Sequence, residues 1–135
     1  MLDKTNVMVE FIITGEQLDL NKLTNVIGIS PSESWLKGDS IPDKKIARPD
    51  SCWILSTGYE ESFDINDQLY KMISRISSKI DILDDLRQEG SLKFVVAIVI
   101  NVEEDIKPAM HFEKQFIEFA YNLNTEFCIE LYNYS

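Results

Sequence analysis

One histidine, two cysteines and five glycines in 135 residues leave little of the material from which catalytic and cofactor sites are usually assembled. His111 stands between Met110 and Phe112, with no nucleophile and no second metal ligand at a recognisable spacing. A triad or a zinc site is therefore not indicated, and a capping or core-edge place at a helix start is expected for it. Neither Cys52 nor Cys128 has a CxxC partner or a nearby histidine. Both fall in strand-like stretches and read as small buried hydrophobes rather than as a disulfide or metal ligands. GxSxG, HExxH, phosphate-loop and dinucleotide fingerprints are missing, and the glycines lie at element boundaries or in one long loop, where turn chemistry accounts for them. No cofactor, metal or catalytic residue is implied, and the balance is against an enzyme.

Positive charge is scarce too. Thirteen Lys and Arg against 23 Asp and Glu give a net charge of −10, which disfavours nucleic acid and anionic membrane surfaces, since both call for a basic footprint. The acid surplus is uneven: residues 1–50 carry six basic against eight acidic side chains, and residues 51–135 carry seven against fifteen. A surplus of this kind serves solubility, or steers the chain toward a basic protein partner. Glu103, Glu104 and Asp105 lack the alternation of oxygen ligands and the glycine of an EF-hand and read as a solvated turn. The start of the chain, Met1 to Asn6, lacks the basic, apolar and small-residue regions of a signal peptide, so a cytoplasmic location is expected.

Long apolar runs are limited to one. Leu92 to Val102, about eleven residues, is far short of the roughly 20 that span a bilayer as a helix, and its β-branching favours a strand. Phe94, Val96, Ile98 and Ile100 point one way and Val95, Ala97, Val99 and Val102 mostly the other, so this strand is expected at the centre of a sheet, with apolar material over both faces. Around it the pattern is regular. Val7 to Thr14 alternates as a strand with Val7, Val9, Phe11 and Ile13 toward the core, and Asp19 and Gly28 bracket a short helix over 19–27 as N-cap and left-handed C′ residue. Ser51 to Thr57 is a strand, with Cys52, Ile54 and Ser56 opposed to Trp53, Leu55 and Thr57.

Ile65, Leu69, Met72, Ile73, Ile76, Ile80, Leu83 and Leu86 form a stripe along a helix over 65–88, capped by Asp64 and weakened at Ser77-Ser78, where a kink or a restart capped by Ser78 is expected. Lys71, Arg75 and Lys79 line its outer face as a solvated basic row. Phe112, Phe116, Phe119, Ala120 and Leu123 mark a helix over 111–123, and Glu126 to Tyr132 a last strand. The sum is a single α+β domain over 1–135, a two-layer sandwich of a mixed four- or five-stranded sheet and three helices.

Residues 29–50 differ in kind, holding Pro31, Pro42, Pro49 and Gly38, with one short edge strand expected at Ser34 to Lys37. Loops of this length inside a compact domain are commonly functional, so this one is a candidate binding lid. The order Leu18-Asp19-Leu20, Leu23 to Pro31, Trp35-Leu36-Lys37-Gly38-Asp39, Arg48, Ser51-Cys52-Trp53-Ile54-Leu55-Ser56, Phe119-Ala120 and Glu130-Leu131-Tyr132 resembles the DUF4279 family over about Val7 to Tyr134. The family commonly closes on Asp-x-Tyr, where this chain has Glu130-Leu131-Tyr132. The resemblance implies a small bacterial α+β protein and supplies no catalytic assignment.

Trp35, Asp39, Arg48, Trp53, Glu130 and Tyr132 would form one polar and aromatic patch if the loop folds over the sheet end, suited to an anionic or aromatic ligand or a peptide. In the plainer reading Asp39 caps a turn, Arg48 pairs with an acid and Trp53 packs in the core. Two functions are therefore carried forward: an interaction protein of the immunity type, neutralising a toxin by acidic complementarity, and a small-ligand or peptide binder that uses the 29–50 loop.

Overall fold

The alternation in the first strand fixes the layer order. In the computed structural model, which describes residues 4–134, β1 (Asn6–Gly15) buries Val7, Val9, Phe11 and Ile13 completely, while Met8, Glu10, Ile12 and Thr14 on its other side are only half-buried. Met1–Asp3, on which part of the reading of the N-terminus rests, lie outside the described residues.

The remaining elements are α1 (Leu20–Ile27), β2 (Glu33–Trp35), β3 (Ser51–Ser56), β4 (Glu60–Glu61), α2 (Ile65–Ile76), α3 (Ile80–Gly90), β5 (Lys93–Val102), α4 (Lys114–Asn122) and β6 (Glu126–Asn133). The sheet runs β2-β3-β1-β5-β6, with β4 pairing β1 beside Asn6 and Val7. All pairings are antiparallel except β5 with β6, which α4 joins by a crossover.

The α+β class and the mixed sheet are those expected, with six strands rather than four or five. The added strand, β4, is two glutamates long and carries no apolar pattern. β5 is an interior strand, as its sequence requires, but the middle of the sheet is β1, with two strands on either side along that order.

The first two helices start where their side-chain caps dictate. Asp19 accepts a hydrogen bond from Lys22 N at 3.0 Å, and Gly28 at φ 79° ends α1, a conformation that a residue with a Cβ reaches only with strain. Asp64 accepts from Asn66 N at 2.9 Å, and the Asn66 side-chain amide bridges Asp64 and the His111 carbonyl. α2 and α3 form one kinked segment joined by a 3-10 turn at Ser77–Lys79. The expected break is there, but Ser78 does not cap the restart: Lys79 holds the cap position and gives no side-chain hydrogen bond. The last helix begins at Lys114 rather than 111, so exposed His111 precedes it instead of opening it.

The helices supply one cluster with the sheet. Leu23 and Ile27 of α1, Leu69, Met72 and Ile76 of α2, Leu83 of α3, and Phe116 and Phe119 of α4 pack with Phe11, Trp53, Phe94, Val96 and Ile98. Phe11 lies 5.5 Å from Phe94 and 6.5 Å from Phe119 between ring centroids, distances at which tilted and edge-on rings attract. The expectation that apolar material covers both faces of β5 is therefore corrected. Ala97 and Val99 are each 5% exposed on the far face, although among the described residues all four helices pack on the other one, where Val102, expected on the far side, also lies buried. Among the described residues no helix is long and apolar enough to cross a membrane.

Candidate functional site

Because residues paired across a ladder share a face, the register lays out the surface that the helices leave free. Glu33, Ile54, Ile12, Val95 and Glu126 form one row across it. Ser56, Glu10, Ala97 and Cys128 form the next, and Met8, Val99 and Glu130 a third. Trp35, Cys52, Thr14 and Lys93 close it on one side, and Asn6, Asn101 and Tyr132 on the other. The floor is apolar and carboxylates stand on it.

Those carboxylates differ in how they are balanced. Glu126 is paired with Lys93 at 3.3 Å, and Glu130 accepts a hydrogen bond from the Tyr132 hydroxyl at 3.3 Å. Glu10, at the middle of the face, and Glu33, on β2, have no ion pair or hydrogen-bonding partner for their side chains among the described residues. Burial against the sheet pushes the Glu10 carboxyl above its ordinary range, and the charges of Glu33 and Glu130 push the same way. Glu130 in turn raises the Tyr132 phenol, with smaller contributions from partial burial, Tyr134 and Tyr59.

The sequence-derived patch is divided by this geometry. Trp35 and Arg48 come together: the guanidinium lies 3.8 Å above the indole ring, makes no ion pair among the described residues, and keeps its Nε buried without an acceptor. Glu130 and Tyr132 lie on the same face, but on β6, with β3, β1 and β5 between them and β2.

Asp39 serves the loop. Its carboxylate accepts from Leu36 N at 2.8 Å, its own N–H donates to the Leu36 carbonyl at 3.0 Å, and its carbonyl accepts from Arg48 N at 2.8 Å. Trp53 lies on the opposite face, fully buried among the helices, with its indole N–H donating to Thr24 Oγ1 at 3.2 Å. It takes no part in the surface. The 29–50 segment, expected as a lid, is a short edge strand followed by a tab that pairs with itself, through Gly38 N to the Arg48 carbonyl at 2.9 Å and a bridge between Ser40 and Ala47.

Sequence reasoning missed Glu10 and Glu33. The available signal was Glu10 between Val9 and Phe11, an acid on the wet side of a strand whose other side is wholly apolar. Among the described residues no nucleophile and base are brought together on this face. Burial, then the Glu33 and Glu10 charges, push the Cys52 thiol up to about 11 against the opposing influence of Arg48, so it stays protonated and inert at neutral pH. Among the described residues no group of three or more His, Cys, Asp or Glu side chains is arranged to hold a metal ion. What the face offers is the partly exposed side chains of Met8, Ile12 and Val95 and the negative charge of Glu10, Glu33 and Glu130.

A family profile described as a domain of unknown function, DUF4279, matches residues 4–134, nearly the whole chain. No curated protein and no solved structure matches it.

Proposed function

The chain belongs to the DUF4279 family, and since that membership assigns no activity, we propose from its own surface that it is a non-enzymatic interaction module of the immunity type, binding a basic protein through the open sheet face. The observation that carries this reading is the Glu33, Glu10 and Glu130 set standing on a sheet face that no helix covers among the described residues. A charge held on a half-buried strand against two like charges costs folding free energy. A cation on a partner would relieve that cost. Met8, Ile12 and Val95, partly exposed on that face, supply apolar contact, and the acids supply steering and register.

The test is coexpression with the product of each adjoining gene, scored by growth and by complex formation. A toxic neighbour is expected to be neutralised and bound one to one, with an association rate that falls steeply with salt. The triple variant Glu10→Gln, Glu33→Gln, Glu130→Gln is expected to abolish rescue while still folding. If no neighbour is toxic or binds, or if the triple variant binds unchanged, the reading is wrong.

A second reading, a small-ligand or peptide binder at the 29–50 segment, is favoured by one observation: Arg48 is stacked on Trp35 with no acid partner among the described residues. A carboxylate ligand there would raise the melting temperature of the wild type and leave that of Arg48→Gln unmoved.

A further inference from the structure

The sheet ends differently on its two sides. β2, at one edge, is three residues long and runs directly into the turn at Leu36–Asp39, with Lys37 beside it. That is a blunted edge. β6, at the other, presents eight residues in unbroken register with β5 and carries no proline and no lysine. Its outer side pairs with no strand among the described residues. Edge strands are ordinarily protected from pairing by shortness, charged side chains, proline, a bulge or a covering element; β6 is long, unbulged and free of proline and lysine, and its only charges are Glu126 and Glu130. It also leaves Ile129 45% and Leu131 47% exposed on the side that faces the helix layer.

We infer that two copies of the chain pair through β6, antiparallel about a twofold axis at Ile129, so that two sheets become one. The register follows from the side chains. In a twofold antiparallel pair the residues directly opposite share a face, so the axis must pass through a residue position. With the axis at Ile129, Phe127 lies opposite Leu131, Cys128 opposite Glu130, Glu126 opposite Tyr132, and Ile129 opposite its own copy. Apolar meets apolar on the helix side, and no two carboxylates face each other.

The other centres are worse. At Cys128 the axis sets Glu126 against Glu130, and at Glu130 it sets that residue against itself, both like-charge pairs that destabilise a ladder. At Leu131 it leaves Phe127 unpaired and places Ile129 against Asn133, and at Phe127 it leaves Leu131 unpaired. A strand this complementary to itself is best matched by a second copy of the same strand. The net charge of −10 on each copy opposes the association at long range, so pairing should tighten as salt screens it, opposite in sign to binding of a basic partner.

The experiment is sedimentation equilibrium of the full chain at micromolar concentrations, from low salt to about 0.3 M, where the screening length has fallen below about 8 Å. The wild type is expected to be a dimer that tightens with salt. Ile129→Lys, which brings two ammonium groups together at the axis, is expected to be a monomer with an unchanged circular dichroism spectrum.

Register is read separately in a Cys128→Ser background. Ile129→Cys should cross-link readily on mild oxidation, because residues directly opposite lie about 4.5–5.5 Å apart between Cα atoms, within disulfide reach. Leu131→Cys should not, its two copies being about 14 Å apart along the strands. A monomeric wild type, a dimer indifferent to Ile129→Lys, or equal cross-linking at both positions would overturn the proposal. Ile129→Lys leaves Glu10, Glu33 and Glu130 in place, so failure here is separable from failure of the basic-partner reading.

Discussion

Replacing Glu10 with glutamine should make the protein more stable and a weaker binder at once. Glu10 lies half-buried on β1, with Glu33 and Glu130 as its charged neighbours, and its carboxyl is raised above the ordinary value. An acid with a raised folded-state pKa holds its proton more tightly in the folded than in the unfolded chain. Its favourable contribution is therefore complete below the unfolded pKa and is lost as pH rises through the folded one, leaving a constant penalty at neutral pH. Burial is the first cause of the raised pKa, and Glu33 and Glu130, each two strands away, add smaller repulsions; solvent screening at this half-exposed site argues for a total of about 0.5–1 kcal/mol. With an unfolding entropy of about 2.1 cal/mol/K per residue, that is a rise in melting temperature of about 2–4 °C for a chain of this length. Thermal melts of wild type and Glu10→Gln at pH 7 should show that rise. At about pH 4, where the wild-type carboxyl is itself largely neutral, and in about 1 M salt, the difference should shrink. A variant that is no more stable than wild type at pH 7, or one whose advantage persists unchanged at pH 4, would refute the account of Glu10 as a strained anion.

Three further outcomes follow from the same geometry. Asp64 accepts from the Asn66 backbone N–H, which first among its neighbours holds the carboxyl below its ordinary value. Its contribution is then present above the unfolded pKa and lost as pH falls through the folded one. Asp64→Ala should cost about 1 kcal/mol in urea melts at pH 7, and little once acid has protonated the wild type. Cys52 is buried as expected, with its thiol raised to about 11, but Cys128, expected to be buried too, is exposed on the edge strand β6, so a thiol reagent at pH 8 should modify one cysteine in the native protein and two in urea, as counted by mass spectrometry. Val96 is fully buried and opposite Phe11, so Val96→Asp places an unpaired carboxylate in the core. At several kcal/mol against a total stability of about 5–15, it should abolish the cooperative melt.

Local signals carried most of the fold. Asp19 with Gly28, Asp64 ahead of the Ile65 stripe, the alternation from Val7 to Ile13 and the β-branched run of β5 each express a rule that acts within a few residues, and each element forms where its signal lies. β4 had no such signal, because pairing of Glu60 and Glu61 with Val7 and Asn6 is imposed by the neighbouring strand and by the Lys71 contact to Glu60. Alternation in β3 separated Trp53 from Cys52 and Ile54 but could not say which side meets the helices, and so Trp53 was grouped with Trp35 on a surface it does not share. The acidic set was out of reach for the same reason. Glu33, Glu10 and Glu130 come from three strands, and only the order β2-β3-β1-β5-β6 brings them onto one face.

That strand order also ties the two proposed interfaces together. A twofold axis at Ile129, normal to the sheet, keeps both open faces on the same side, so the Glu10 sets of two copies would lie side by side across the joined β6 strands. Charge then acts in opposite senses at the two contacts. Screening that helps the copies pair weakens each copy's hold on a cationic partner, whereas a bound cationic partner neutralises the very charge that holds the copies apart. Partner binding and pairing are therefore expected to reinforce one another at low salt, since each ligand that favours a state must gain affinity from that state by the same factor. Sedimentation in low salt with and without partner measures this directly. The partner should raise the dimer fraction of the wild type and leave Ile129→Lys monomeric, and a partner that binds tightly yet leaves the wild-type dimer fraction unchanged would show that the two surfaces are electrostatically independent.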